Sequence, residues 1–205
     1  EPAQAPRIAC SSDGSIVTVT WIAQISIGMV VEATTLSDHG TTIVRQLPVS
    51  APGVQGNVPS ITMSTDGQRQ TIAWDGYNPN TSSRYVDTIT STNGGASWPG
   101  AVTVGGADAS AREAVSLASS SDGLRLSLTW TQVVVGTKAV LFASSSDGGT
   151  HWSSPVQINS GLSHGTTSMI TSSADGMTLH VAWLQDVGSG NSLPMIMSST
   201  DGGLN

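Results

Sequence analysis

All six tryptophans of the chain fall on two recurring motif positions, and no other feature restricts the fold as tightly. In the first motif an Asp-Gly pair is followed by Trp eight residues after the Asp: Asp13 to Trp21, Asp66 to Trp74, Asp122 to Trp130, and Asp175 to Trp183. The second motif, Ser/Thr-x-Asp/Asn-Gly-Gly-x-x-Trp, appears as Ser91-Thr92-Asn93-Gly94-Gly95-Ala96-Ser97-Trp98 and as Ser145-Ser146-Asp147-Gly148-Gly149-Thr150-His151-Trp152. A degenerate copy lies at Asp38-His39-Gly40, and a shortened one at Thr200-Asp201-Gly202-Gly203. Spacings of 53, 56 and 53 in the first motif, and 55, 54 and 54 in the second, define a repeat of about 54 residues over nearly the whole chain.

Each repeat reads as a four-stranded meander. An apolar residue stands five positions before each first-motif Asp: Ile8, Ile61, Leu117 and Ile170. After the turn, alternate positions are apolar up to the Trp, as in Val17, Val19 and Trp21, or Leu126, Leu128 and Trp130. Period-two alternation marks a half-buried strand. A third strand climbs to the second motif (Tyr85 to Thr90, Val140 to Ser144). A fourth follows it, with Leu47 and Val49, Val102 and Val104, and Val156 and Ile158 in matching places. The Asp/Asn-Gly pairs supply the hairpin turns.

Four-stranded units of this length predict an all-β fold, a β-propeller of antiparallel blades at approximately 7–55, 56–109, 110–163 and 164–205, after a Pro/Ala linker at 1–6. Stacked blades keep the Trp faces dry, which separate hairpins cannot do. In the complete second motifs Trp comes five residues after Asp or Asn, so the last unit stops one residue short of its indole. That favours a piece of a longer propeller; alternatively a strand from the N-terminal residues or from a neighbouring chain closes it.

Composition narrows the function classes. Charged residues make up only 10% of the 205, and the formal net charge is −7. Seven scattered Lys and Arg supply no basic footprint for nucleic acid. No apolar run approaches the roughly 20 residues of a membrane span. The lone Cys10 reads as a small buried residue. The histidines His39, His151, His164 and His180 show no metal-ligand spacing, and no cofactor is implied.

The second motif resembles the Asp box of the bacterial-neuraminidase-repeat family, whose signature Ser-x-Asp-x-Gly-x-x-Trp/Phe recurs in sialidase propellers. The resemblance implies that Asp38, Asn93, Gly95, Trp98, Asp147, Gly149, Trp152 and Asp201 are structural, in the turn between third and fourth strands and away from any active site. The family's sialidases use three arginines, a Tyr-Glu nucleophile pair and an Asp acid/base. Their first arginine lies in Phe-Arg-Ile-Pro; here Arg7-Ile8 matches two positions, with Pro6 and Ala9 replacing the flanks, so Arg7 is the one catalytic alternative. Arg45, Arg69, Arg84, Arg112 and Arg125, with Tyr77, Tyr85, Glu32 and Glu113, show no catalytic pairing by repeat position.

Antiparallel strands put both Asp-Gly hairpins of a unit at one end. The opposite end carries the more variable segments 22–28, 75–83, 131–138 and 184–192, where ligand contacts are expected. Asp75, Tyr77, Asn78, Asn80, Gln132, Gln185 and Asp186 are the polar candidates there, and Asn80-Thr81-Ser82 matches a glycosylation sequon. Three readings follow. The first is a non-enzymatic module, secreted or at the surface of a bacterial cell, binding glycan or protein. The second is part of an exo-acting, sialidase-type glycoside hydrolase. The third is a structural assembly module closed by a strand from elsewhere.

Overall fold

The computed structural model describes residues 3–26, 28–51, 55–56, 58–108, 112–134, 136–159 and 164–204, without the side chains of 55, 107, 108, 112 and 113. Its strands form four antiparallel sheets in chain order. The first holds β1 (Ala3–Cys10), β2 (Val17–Ile25), β3 (Gly28–Ser37) and β4 (Thr42–Pro48). The second holds β5 (Gln55–Gly56) and β6 (Ser60–Met63), both paired with β7 (Gln70–Asn78), then β8 (Ser83–Ser91) and β9 (Val102–Asp108). The third holds β10 (Arg112–Ser119), β11 (Leu126–Val134), β12 (Thr137–Ser145) and β13 (Val156–Gln157), and the fourth β14 (Gly165–Ser172), β15 (Leu179–Gly188) and β16 (Asn191–Ser199). Ala3 and Gln4, expected in a linker, pair instead with Ala23 and Ile22.

The core lies between sheets. Val31, Ala33 and Val49 of the first sheet meet Ile72, Trp74 and Ile89 of the second, with Trp98 packed alongside. Ala73, Val86 and Val104 of the second meet Leu117, Leu128 and Trp130 of the third, flanked by Trp152. Val140 of the third meets Val181 and Trp183 of the fourth. Trp74, Trp130 and Trp183 are 1%, 0% and 5% exposed. Each removes roughly 150–250 Å² from water, an upper estimate of about 4–6 kcal/mol of hydrophobic stabilisation. Trp21 keeps the same register but is only half-buried, because among the described residues no sheet covers that face. Cys10 lies on this uncovered sheet and is exposed, which corrects the buried expectation.

The turns repeat down to individual hydrogen bonds. In each first turn a Ser two residues before the Asp donates its hydroxyl to Asp Oδ1: Ser11 to Asp13, Ser64 to Asp66, Ser120 to Asp122 and Ser173 to Asp175. The same carboxylate oxygen accepts the backbone N–H two residues on, from Ser15, Gln68, Leu124 and Met177. Successive turns are joined by backbone bonds, Ser12 N to Thr65 O at 2.9 Å, then Thr65 N to Ser121 O and Ser121 N to Ala174 O, each at 2.7 Å. Second turns lean on first turns of their own sheet. His39 N donates to Ser15 O, Gly94 N to Gln68 O, Gly148 N to Leu124 O and Gly202 N to Met177 O. Both turns of each sheet therefore occupy one end.

Candidate functional site

The opposite end is built by the hairpins between second and third strands. The segments read as variable loops are mostly strand: pairing runs to Ile25↔Gly28, Asn78↔Ser83, Val134↔Thr137 and Gly188↔Asn191. Continued ladder bonding satisfies the backbone to the hairpin tips and leaves only short turns. A second feature of this end is a bulge in the first strand of the first, third and fourth sheets, between Gln4 and Arg7, Glu113 and Ser116, and Thr166 and Met169. Ala5, Ala114 and Thr167 there have φ of 50°, 54° and 55°, a left-handed conformation costly for residues with a β-carbon.

The second sheet concentrates the chemistry. Asp75 and Tyr77 are two residues apart on β7 and therefore share a face. Arg84 of β8 stands directly opposite Tyr77. Its Nη1 lies 3.3 Å from Asp75 Oδ2, and its guanidinium carbon lies 5.2 Å from the centroid of the Tyr77 ring. The Asp75 side chain is 5% exposed and that of Arg84 31%, so the carboxylate is held inside and the guanidinium reaches out. Tyr77 is half-buried. The group offers a buried acceptor, a partly exposed set of N–H donors and an aromatic face within one hairpin.

The other face of the hairpin carries Tyr85 and Asp87. The Tyr85 ring packs over Gly76, where a β-carbon would stand 2.2 Å from the ring. Burial, reinforced by the charges of Asp87 and Asp75, pushes the Tyr85 phenol up to about 12. Burial also raises the Asp87 carboxyl, opposed by a 2.7 Å hydrogen bond from Thr103. Asp75 and Asp87 sit on opposite faces of the hairpin, which does not by itself assemble a two-carboxylate pair.

The remaining candidates take different places. Asn78 Oδ1 accepts Asn80 N at 3.0 Å, and Asn80 lies exposed in the hairpin turn. Gln132 and Gln185 lie beneath indoles and accept the Trp130 and Trp183 N–H groups at 3.2 and 3.0 Å. Asp186 caps the β15–β16 hairpin through Gly188 N at 2.7 Å. Arg7 is exposed and donates to the neighbouring Pro6 carbonyl. The side chains of Arg112 and Glu113 lie outside the described residues.

At the turn end, Asn93 Oδ1 accepts the Ser91 hydroxyl and Ser97 N, and Asp147 Oδ1 accepts the Ser145 hydroxyl and His151 N. Asp201 repeats the pattern with Ser199 and Leu204. Gly95 and Gly149 receive a Ser hydroxyl oxygen on their N–H, from Ser91 and Ser145. Asp38 departs from it: among the described residues its carboxylate meets only the adjacent Ser37 hydroxyl, within a turn where Asp38 and His39 have φ of 51° and 57°. With Ser immediately before Asp rather than two residues before, the shared bond set cannot form. The sequence signal for residues missed there is the Ser two positions before every first-turn Asp; the twice-written Trp-x-Gln gives Gln132 and Gln185, expected as ligand contacts, their place beneath the indoles. Arg84 carries no motif, and only the strand register reveals it.

No protein-family model matches the chain, and neither does any curated protein. Solved structures do. An α-L-arabinofuranosidase of Fusarium graminearum bound to an iminosugar inhibitor superposes with a TM-score of 0.67 at 12% identity, over 98% of this chain and 63% of that one. An α-L-arabinanase of Penicillium chrysogenum complexed with arabinobiose gives 0.66 at 13% identity, over 97% and 63%. A Trypanosoma rangeli sialidase in complex with the inhibitor DANA gives 0.62 at 12%, over 98% and 37%. The chain thus spans less than two thirds of the length of these proteins. Likeness at such identities establishes fold alone: an all-β, propeller-like arrangement of antiparallel sheets, of the kind found in glycosidases.

Proposed function

We propose that this chain is part of a carbohydrate-active propeller of the glycoside-hydrolase kind, with saccharide recognised at the β7–β8 hairpin end of the second sheet. The observation that carries the reading is the Asp75–Arg84–Tyr77 group, set at the end away from the stacked turns. Sugars present hydroxyls that both donate and accept, together with an apolar C–H face. A held carboxylate, guanidinium N–H groups and an aromatic ring answer those three needs. Arg84 would also suit an acidic sugar, since its fork matches a carboxylate.

The structurally similar proteins support the carbohydrate class, because those named above act on or bind arabinose- or sialic-acid-type ligands. Hydrolysis needs a proton donor and a second carboxylate suitably spaced. Asp87, raised by burial, has the character of a donor, but it lies on the other face of the hairpin. In this reading the chain supplies binding, and a complete acid–base pair draws on residues beyond this hairpin. The Asp-box character of the second turns and a location outside the cell belong to the same proposal.

The test is direct. The protein is titrated with arabino-oligosaccharides and with sialyllactose, and turnover of an aryl arabinofuranoside and a fluorogenic sialoside is assayed in parallel. Binding of one class, weakened about tenfold or more by Tyr77→Ala, is the expected result (about 1.4 kcal/mol). No binding and no turnover with either class would overturn the proposal.

A further inference from the structure

The row of residues just beyond each interior indole is written differently in the second sheet. On the third sheet Gln132 stands two residues after Trp130 and opposite Ala139, and on the fourth Gln185 stands opposite Leu193. Each carboxamide takes the N–H of its indole. On the second sheet the same row reads Gly56, Gly76 and Tyr85, two glycines and a phenol. The Tyr85 ring lies over Gly76, in the room a Gln side chain would use. It fills that volume without supplying the acceptor.

The consequence is an orphaned donor. Trp74 is 1% exposed, and its Nε1 has no partner among the described residues. The shared register of Trp74, Trp130 and Trp183 aims that N–H at the space above Gly76. Asp87 stands directly opposite Trp74, on the same face, so its carboxyl borders the same space. Burial pushes the carboxyl up, and among the described residues only the Thr103 hydroxyl donates to it. Tyr85 is half-buried, and among the described residues no hydrogen bond holds its hydroxyl. The ring over the gap is not anchored.

We propose that this seam between the first and second sheets is a second saccharide subsite, separate from the Asp75–Arg84–Tyr77 group on the other face of the hairpin. As Tyr85 turns aside, a sugar hydroxyl enters above Gly76, accepts from Trp74 Nε1 and donates to the Asp87 carboxyl. A hydroxyl can do both at once. The displaced phenol ring then lies against the apolar C–H face of the sugar. A buried donor left unpaired is costly, so a ligand that pairs it regains that cost on binding. The subsite rests on the saccharide reading above for its class of ligand, but on different residues.

The indole N–H resonances test the proposal. Nitrogen-labelled protein shows one such peak for each of its six tryptophans, and Trp74→Phe identifies the peak of residue 74 by its loss. Titration with arabino-oligosaccharides and with sialyllactose is expected to shift that peak in step with binding. Gly76→Gln combined with Tyr85→Ala copies the row of the third sheet, Gln132 opposite Ala139, and so keeps the fold. That double variant supplies the missing acceptor from within. Its Trp74 peak should be shifted before any sugar is added, and sugar should bind about tenfold more weakly. A Trp74 peak that neither saccharide moves overturns the subsite, since water or the Tyr85 ring must then hold the N–H. Undiminished binding by the double variant overturns it too. The earlier reading is decided separately: binding weakened by Tyr77→Ala with Trp74 unmoved leaves only the hairpin site, whereas a shifting Trp74 peak insensitive to Tyr77→Ala leaves only the seam.

Discussion

The carboxamide oxygen of Gln185 accepts the indole N–H of Trp183 at 3.0 Å inside the interface between the third and fourth sheets. The bond satisfies a donor that burial would otherwise strand. An indole that points between two sheets hides its single donor from water, and ladder carbonyls are already engaged. Gln two residues on, along the same face, is long enough to reach back. Gln132 does so for Trp130. In the second sheet Gly76 stands at that position beneath Tyr85, and Trp74 Nε1 finds no acceptor among the described residues.

Replacing Gln185 by Ala therefore strands a buried donor. The expected cost is about 1–3 kcal/mol, the range for leaving a buried polar group unsatisfied. It is read as a lower urea midpoint at unchanged slope. A loss below about 0.5 kcal/mol, the scatter of innocuous surface changes, would mean that the N–H is satisfied some other way.

Gly95 and Gly40 separate two costs that glycine avoids. Both have strongly positive φ, 79° and 84°. A β-carbon on Gly40 meets nothing within 4 Å, whereas one on Gly95 would stand 2.1 Å from Thr35 Oγ1 on the preceding sheet. Gly40→Ala should cost about 1–2 kcal/mol for left-handed backbone alone. Gly95→Ala should cost about 1–3 kcal/mol more, because the sheets must part. Equal losses in thermal unfolding would show that the second turn does not set the spacing between sheets.

These residues also mark how far the sequence could be read. The period, the strand order, the common register of the indoles and the placing of both turns at one end follow from spacing, since a strand alternates strictly and a hairpin reverses direction. The exceptions lie where spacing carries no information. Trp21 shares the register of Trp74, Trp130 and Trp183, yet burial depends on a neighbour, and among the described residues no sheet packs on that side of the first sheet; Cys10, a residue type commonly buried, lies exposed on the same sheet. Gln132 and Gln185 resemble surface polar residues until their distance to an indole is known. The pairing of Asp75 with Arg84 depends on cross-strand register, set by the length of the turn at 79–82 and by nothing in the composition of either strand.

Arg84→Met should reveal that pairing through stability. With the guanidinium gone, the buried Asp75 carboxylate loses the partner 3.3 Å away, and removing one member of a buried pair costs about 3–5 kcal/mol, less here because Arg84 is partly exposed and solvent screens the pair. The loss is read as a lower urea midpoint, and Asp75→Asn in the Arg84→Met background should recover part of it. Equal deficits for the single and double variants would assign Arg84 a packing role only.

The turn carboxylates set a dependence on pH. Hydrogen bonds from the backbone and side chain of His151 hold Asp147 down at about 2, and those from Ser11 and Ser15 do the same for Asp13. Asp66, Asp122 and Asp175 are lowered chiefly by the hydroxyls of Ser64, Ser120 and Ser173. A carboxyl depressed in the folded state adds stability that is complete above the unfolded value, near 4, and fades as pH falls through the folded one, about 2 for Asp13 and Asp147. All of these groups are well exposed, so solvent and salt temper each contribution. The chain should lose stability progressively between those limits. Asn93 makes the Ser and backbone bonds of Asp147 without a titrating group. Asp147→Asn should accordingly leave the urea midpoint at pH 7 nearly unchanged and reduce its fall on going to pH 2.5. If the fall is as steep as in the wild type, the acid sensitivity resides in the first turns, and Asp13→Asn becomes the variant that flattens it.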